Sequence, residues 1–282
     1  MAYSKREFLG GEFGSQELSG RWDKIARNIL DAGWERPTVT DKHFSEVISN
    51  FLNRWIAVKC GCRVLKLDLF NEMTHTPHLE WFSDRNAQTF GIDISKVVVL
   101  NAKKKFRGTP FFINGDIREL PFKDDSFDIV FSIGTLEHLR TQENAVFEVR
   151  RVLKHGGTAV IGVNNRNSMW LSPVLWETVE FLGICRRYCS YEPSLSPKDL
   201  EILLTKAGFT DIRLDGTYLY PKILRLFDVW SEIKCNNRAT ILKKAKMAVY
   251  SPTTKFFEAL ESWGGVNLFA DMIMAIAKKP LA

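Results

Sequence analysis

Between residues 62 and 165 the chain alternates short apolar segments, rich in β-branched and aromatic residues, with stretches whose apolar residues recur at helical spacing. Parallel strands need long crossover connections, which helices supply. The alternation therefore predicts an α/β protein with a doubly wound, parallel sheet covered by helices on both faces. With two later segments, seven strands are predicted: RVLKLDLF at 63–70, QTFGIDIS at 88–95, TPFFINGD at 109–116, FDIVFSIG at 127–134, GTAVIGVNN at 157–165, TDIRLDGTYLY at 210–220 and LFADMIMAIAKK at 268–279.

The rest of the chain predicts two helical additions to this core. Residues 1–58 are predicted as a helical N-terminal cap, and residues 59–217 as the core. Residues 218–265 are predicted as a helical insertion or lid, and residues 266–282 as the closing strand of the core. The insertion contains amphipathic, basic pieces with aromatic residues. A lid over an apolar substrate and a helix that makes peripheral contact with a membrane both predict that pattern.

Charge and cysteine content narrow the class of protein. The formal net charge is +6, but the basic residues are spread along the chain, so no nucleic acid partner is expected. The segment MAYSKREFLGGEFGSQ lacks the apolar core of a secretory signal, and five cysteines suit a reducing compartment, so we expect a cytoplasmic protein. No metal site is expected, because the closest cysteine and histidine pairs lack the spacing of zinc sites. These pairs are Cys60-Gly-Cys62, Cys185-x3-Cys189 and His75-x2-His78.

Polar residues follow the predicted strands in the order that a nucleotide-binding sheet requires. Asp93 ends the second strand, where a carboxylate can accept hydrogen bonds from both hydroxyls of a ribose. Asp116 ends the third strand, where it can accept from an adenine amino group while Ile117 packs on the ring. Since ligands of such folds bind beyond the carboxyl ends of the strands, these residues predict one site.

The segment Gly134-Thr135-Leu136-Glu137-His138-Leu139 follows the fourth strand and offers the candidates for proton transfer. His138 is the best candidate for a general base, because histidine titrates near neutral pH and this position would face a bound substrate. A structural role, capping the next helix, is the alternative for His138, and Glu137 has the same two interpretations.

Residues from about 62 to 165 resemble a class I S-adenosylmethionine-dependent methyltransferase, of the broad small-molecule group that includes ubiquinone-biosynthesis enzymes. The resemblance is carried by GIDIS at 91–95, GDIRELPFKDDSFDIVFSIGTLEHL at 115–139 and EVRRVLKHGG at 148–157. The segment FADMIMAIAKK is similar to the closing antiparallel strand of that family. The resemblance implies a Rossmann-like methyltransferase fold with a mostly parallel seven-stranded sheet, S-adenosylmethionine as cofactor and a small-molecule acceptor.

The resemblance also implies roles for particular residues. Asp93, with Ile94 beside it, would hold the cofactor ribose, and Asp116 and Ile117 would frame the adenine. Three residues at the end of the fourth strand would flank the methionine part, namely Ser132, Ile133 and Gly134. The reaction would be an in-line methyl transfer in which positioning and desolvation supply most of the rate.

The loop after the first strand departs from the family. Where glycines are expected, the chain has Asp68, Phe70 and Glu72. In one interpretation the loop is remodelled: Asp68 or Glu72 pairs with the cofactor's ammonium group, and Lys66 or Arg85 takes its carboxylate. In the other, cofactor binding is lost and the protein is a non-catalytic scaffold or accessory subunit. The intact second, third and fourth strand ends favour the first interpretation.

An RNA or protein methyltransferase is a third possibility for the chain. An Asn-Pro-Pro-Tyr type sequence after the fourth strand would favour it, because that sequence positions a planar nitrogen. This chain has Ser132-Ile133-Gly134-Thr135 at the corresponding place. The sequence therefore favours a small-molecule acceptor.

Overall fold

The computed structural model describes residues 13–31, 37–74, 76–106, 111–168, 194–220, 252–257, 259–260 and 269–282, together with the single residues 224, 228 and 250. Its helices are α1 (Ser15–Asp31), α2 (Val39–Trp55), α3 (Phe70–Met73), α4 (Leu79–Ser83), α5 (Lys96–Lys105), α6 (Glu143–Val152) and α7 (Pro197–Lys206). The strands are β1 (Arg63–Leu67), β2 (Gln88–Asp93), β3 (Phe111–Asn114), β4 (Phe127–Ile133), β5 (Leu153–Asn164), β6 (Thr210–Thr217) and β7 (Met272–Lys278).

The strands form one seven-stranded sheet in the order β3-β2-β1-β4-β5-β7-β6. Pairing is parallel from β3 to β5, whereas β7 runs antiparallel to both β5 and β6. The predicted doubly wound, mostly parallel sheet is confirmed. The register pairs Leu67 of β1 with Ile92 of β2 and Ser132 of β4, so the carboxyl ends of these three strands meet at one edge. That edge is where the polar residues after the strands come together.

The boundary between α6 and β5 differs from the prediction. The helix ends at Val152 and the strand begins at Leu153 instead of Gly157, so Gly156 and Gly157 lie within the strand. The pairing of β4 with β5 is irregular at this point, and the closing segment joins it through Gly156 N–H to Lys279 O and Lys279 N–H to Gly157 O. Glycine is needed here because Gly156 has a positive φ of 75°, and a Cβ at Gly157 would lie 2.7 Å from Lys154 O.

Two helices precede the sheet, as predicted for the N-terminal segment. Helix α2 begins after Thr38, whose hydroxyl accepts from Asp41 N–H while the Asp41 carboxylate accepts from Thr38 N–H. Helix α1 is held to the start of α5, because Asp23 Oδ1 accepts from Ser95 Oγ at 2.5 Å and from Val97 N at 3.1 Å. These bonds fix α1 across the edge where β1, β2 and β4 end.

Much of the predicted insertion at 218–265, with Cys185 and Cys189, lies outside the described residues. The proposed boundaries of the cap, core and insertion therefore stay predictions. Over the described ranges, no helix combines the length and the apolar character needed to cross a membrane.

Candidate functional site

A cavity of about 390 Å³ opens at the carboxyl edge of the sheet, beneath α1. Its volume falls in the range of small-molecule sites, roughly 300 to 1,000 Å³. Four of the residues considered for the site in the sequence do not lie on its wall, namely Lys66, Glu72, Arg85 and Ser132, and the others do. Ser132 is fully buried within β4, between its neighbours in β1 and β5, and so lies behind the wall.

Asp93 lies on the wall where β2 ends and binds two backbone N–H groups. Its Oδ2 accepts from Leu69 N at 2.8 Å, and its Oδ1 accepts from Ser95 N at 2.7 Å. Burial raises the pKa of Asp93 to about 7, against the opposing effect of these two hydrogen bonds. A carboxylate has about four acceptor positions, so two positions remain for a ligand.

Asp116 follows β3 and is engaged by two side chains. Its Oδ1 accepts from Arg118 N at 2.9 Å, and its Oδ2 accepts from Arg118 Nη2 at 2.6 Å and from Ser15 Oγ at 2.7 Å. Burial acts to raise the pKa of Asp116, but the hydrogen bonds from Arg118 and Ser15 prevail and lower it. A ligand group that binds Asp116 must therefore replace one of these donors.

Glu137 and His138 lie on the wall in a short 3₁₀ turn, Leu136–His138, that follows β4. Glu137 is buried, and its Oε1 accepts from Asn164 N at 3.3 Å, which ties the turn to the end of β5. The His138 ring lies edge-on to the ring of Trp22, with 4.8 Å between their centroids. The imidazole therefore lies between the sheet and α1.

Helix α1 supplies the apolar side of the cavity, which the sequence analysis did not assign to the site. Leu18, Trp22, Ile25 and Ile29 all face the cavity. Their spacing marks one face of a helix, the same pattern that a helix packed on a core would show. The sequence signal was present, but it does not distinguish a cavity wall from a filled core.

The loop after β1 is organised by a buried cation. Lys66 is fully buried, and its Nζ lies 2.9 Å from Glu72 Oε2 and 3.1 Å from Asp68 Oδ1. Burial alone would lower the pKa of Lys66, but the two carboxylates raise it above its ordinary value. This geometry corrects the predicted contact of Lys66 with a cofactor, because the Lys66 ammonium group is paired with the carboxylates of Asp68 and Glu72.

Glu72 and Arg85 are also directed away from the cavity. Glu72 Oε1 accepts from His78 N at 3.0 Å and from Leu79 N at 3.1 Å, so it holds the start of α4. The Arg85 guanidinium lies 3.8 Å from the centroid of the Trp81 ring and donates to Asn53. Of the four alternatives considered for the altered loop, only Asp68 lies on the wall.

Asp128, the second residue of β4, has a structural role. Its Oδ2 accepts from Arg63 N at 2.8 Å, and Lys154 Nζ lies 2.9 Å from its Oδ1. These contacts lie at the amino ends of β1 and β4, opposite the cavity.

The sheet order, the closing antiparallel strand and the cavity beyond the strand ends define a nucleotide-binding α/β protein of the Rossmann-like type. A family model described as a methyltransferase domain matches residues 75–161. O-methyltransferase cnsE of Penicillium expansum is 30% identical over 219 residues, which are 72% of this chain and 74% of the relative. The chain therefore belongs to the class I S-adenosylmethionine-dependent methyltransferases, and its cofactor is S-adenosylmethionine.

Solved structures agree on the fold. A phosphoethanolamine N-methyltransferase 2 of Haemonchus contortus, in complex with S-adenosylhomocysteine, matches 82% of this chain and 52% of its own length, with 21% identity and a TM-score of 0.54. The [4+2]-cyclase SpnF matches 96% of this chain and 98% of its own length, with 17% identity and a TM-score of 0.58. These two proteins share the fold but are named for different reactions, so the fold does not identify the acceptor.

Proposed function

We propose that this protein transfers the methyl group of S-adenosylmethionine to a small-molecule acceptor bound between α1 and the carboxyl ends of β4 and β5. The observation that carries the proposal is that Asp93 and Asp116 line the same cavity as Glu137 and His138. A cofactor held by the first pair would lie next to an acceptor held near the second pair.

The adenosine part is assigned to the ends of β2 and β3. The two unused acceptor positions of Asp93 suit the two ribose hydroxyls. Ile94 and Ile117 offer apolar surface on the cavity wall, which suits the faces of an adenine ring. The adenine amino group would donate to Asp116 in place of Ser15 Oγ, because Ser15 is the neutral one of the two side chains that now bind Asp116.

The methionine part is assigned to the end of β4. Gly134 has a positive φ of 71°, and the nearest atom to a Cβ built there is Glu137 Oε1, at 3.9 Å. The backbone is therefore open to a ligand at Ile133 and Gly134. The predicted role of Ser132 at this end is not proposed again, because its side chain is buried behind the wall.

S-adenosylmethionine supplies an electrophilic methyl group on a positively charged sulfur. The apolar face of α1 would exclude water from the acceptor, and the strand ends would align it. His138 would accept the proton that an oxygen, nitrogen or carbon acceptor loses on methylation. Glu137 is proposed to orient the turn that presents His138, since its carboxylate bonds to the end of β5.

Calorimetric titration of S-adenosylmethionine, and separately of S-adenosylhomocysteine, tests cofactor binding. A transfer assay with labelled methyl groups and fractionated small-molecule extracts then tests catalysis. His155→Ala is a matched control for His138→Ala, because His155 lies at the opposite edge of the sheet, where its Nδ1 lies 2.9 Å from Pro280 O. Micromolar binding and transfer that depends on His138 but not on His155 are expected. If neither ligand binds, the proposal fails.

A further inference from the structure

The rebuilt loop after β1 carries one more negative charge than positive charge. Its charged groups are the Lys66 ammonium and the carboxylates of Asp68 and Glu72. Both carboxylate oxygens of Glu72 are engaged inside the protein, Oε2 in the ion pair with Lys66 and Oε1 by two backbone N–H groups at the start of α4. The surplus negative charge therefore resides at Asp68.

Only Asp68 of these three residues reaches the cavity. Its side chain is 14% exposed, whereas those of Lys66 and Glu72 are 0% exposed. Asp68 Oδ1 is shared with Lys66, and Oδ2 accepts from the neutral hydroxyl of Thr135 at 2.7 Å. Among the described residues that line the cavity there is neither lysine nor arginine, so the cavity side of Asp68 faces no protein cation.

The backbone of Asp68 takes the conformation that a glycine would provide. Its φ is 85°, in the left-handed region that non-glycine residues seldom adopt. Aspartate tolerates this region better than most residues, but some strain remains. Strained residues cluster at functional sites, so this strain at the cavity wall supports a functional role for the Asp68 side chain.

We propose that Asp68 recognises the α-ammonium group of the cofactor's amino-acid end, and that the Lys66–Glu72 ion pair positions it for this contact. Asp68 lies between the two parts of the assigned site, because Leu69 binds Asp93 and Thr135 follows Gly134. An ammonium group bound here would lie beside the surplus negative charge of Asp68, and Thr135 would orient the Asp68 carboxylate. The inference rests on the proposed function and adds the determinant that selects a ligand with a charged amino-acid end.

The test uses two ligands that differ only in the region that Asp68 is proposed to recognise. S-adenosylhomocysteine has the amino-acid chain, whereas 5′-methylthioadenosine keeps the adenosine and sulfur but lacks that chain, and the sulfur of both ligands is a neutral thioether. Both are titrated into the wild-type protein and into Asp68→Asn and Asp68→Gly. Both substitutions remove the charge while suiting a positive φ, so both variants are expected to fold. Thermal unfolding checks this directly.

In both variants the affinity for S-adenosylhomocysteine is expected to fall about ten- to hundredfold, the usual effect of losing a hydrogen bond between charged groups. The affinity for 5′-methylthioadenosine should stay within about twofold. Asp128→Asn is the matched control, because Asp128 is a carboxylate paired with a lysine at the opposite edge of the sheet. It should change neither affinity.

Glu72→Gln tests the positioning role. With Glu72 neutral, Lys66 has Asp68 as its remaining carboxylate partner in the loop, and the surplus charge disappears. The affinity for S-adenosylhomocysteine should therefore fall while that for 5′-methylthioadenosine does not, a difference that a merely structural role would not produce.

Two results would overturn the inference while leaving the proposed function intact. In the first, S-adenosylhomocysteine binds the Asp68 variants as tightly as it binds the wild-type protein. In the second, both ligands lose affinity by the same factor, which would make Asp68 a structural residue of the loop. A wild-type protein that binds neither ligand would instead refute the proposed function itself.

Discussion

Replacing Lys66 by methionine should destabilise the protein strongly. The substitution keeps an unbranched side chain of similar size, so packing changes little. It removes the cation from two carboxylates, one of which, Glu72, is fully buried. Breaking a buried ion pair by removing one partner costs about 3 to 5 kcal/mol. At roughly 2 to 4 °C per kcal/mol, the midpoint of thermal unfolding should fall by about 6 to 20 °C.

The loss of stability should depend on pH in a direction that identifies its cause. Burial already raises the pKa of Asp68 in the wild-type protein, against the opposing effect of Lys66, and without Lys66 the pKa of Asp68 rises further. The folded variant then binds more protons than the unfolded chain, and its stability falls as pH rises above the unfolded pKa of about 4. The deficit relative to wild type should therefore be larger at about pH 8 than at about pH 5.

Urea and thermal unfolding followed by circular dichroism, at both pH values, measure this effect. Lys154→Met is the matched control, because Lys154 pairs with Asp128 at 2.9 Å but its side chain is 42% exposed. An exposed pair contributes at most about 1 kcal/mol. The double variant Lys66→Met/Glu72→Gln should recover part of the lost stability. If Lys66→Met is no less stable than Lys154→Met, or if its deficit is independent of pH, the buried ion pair is not what holds the loop.

Three further predictions concern the cavity. Asp93→Asn should weaken S-adenosylmethionine binding at least about tenfold in calorimetry. Its thermal midpoint relative to wild type should also rise with pH, because the pKa of Asp93, raised to about 7, makes the wild-type protein lose stability between about pH 4 and pH 7. Ser15→Ala should strengthen cofactor binding about two- to fivefold, since it removes a donor that competes for Asp116, and unchanged affinity would contradict the adenine assignment. His138→Ala should lower the rate of methyl transfer about 10²- to 10⁴-fold with little change in cofactor affinity, and an unchanged rate would exclude it as the base.

The fold could be predicted from the sequence because its strands are apolar, short and separated by helical segments. The antiparallel β7 was identified through the family resemblance, not through its pattern. The start of β5 was missed, because Gly156 and Gly157 follow α6 closely and resemble a helix terminus. Their actual role depends on the main chain of Lys279, far away in sequence. Local patterns carry no information about such a partner.

The candidate site could be predicted where its residues follow strands, as Asp93, Asp116 and Glu137 do. It could not be predicted where a charged side chain has more than one neighbour with which it could pair. Lys66, Asp68 and Glu72 lie close together in the sequence, and the sequence does not state which of them would face inward. Burial determines which of them face inward. A lysine on the central strand β1 cannot reach solvent, so carboxylates must lie close to its ammonium group.

The same requirement explains how a loop without glycines remains compatible with a ligand. A buried lysine needs a carboxylate, and Glu72 meets this need while its other oxygen fixes the start of α4. Glu72 is thereby withdrawn from the cavity, where it would repel the carboxylate of a bound amino acid. Asp68 takes the left-handed conformation and leaves one net negative charge facing the cavity. The residues that stand in place of the family's glycines therefore depend on one another. Glycine at position 72 alone would leave Lys66 with one carboxylate partner in the loop, Asp68. The positive charge of Lys66 would then cancel the negative charge that we propose binds the ammonium group.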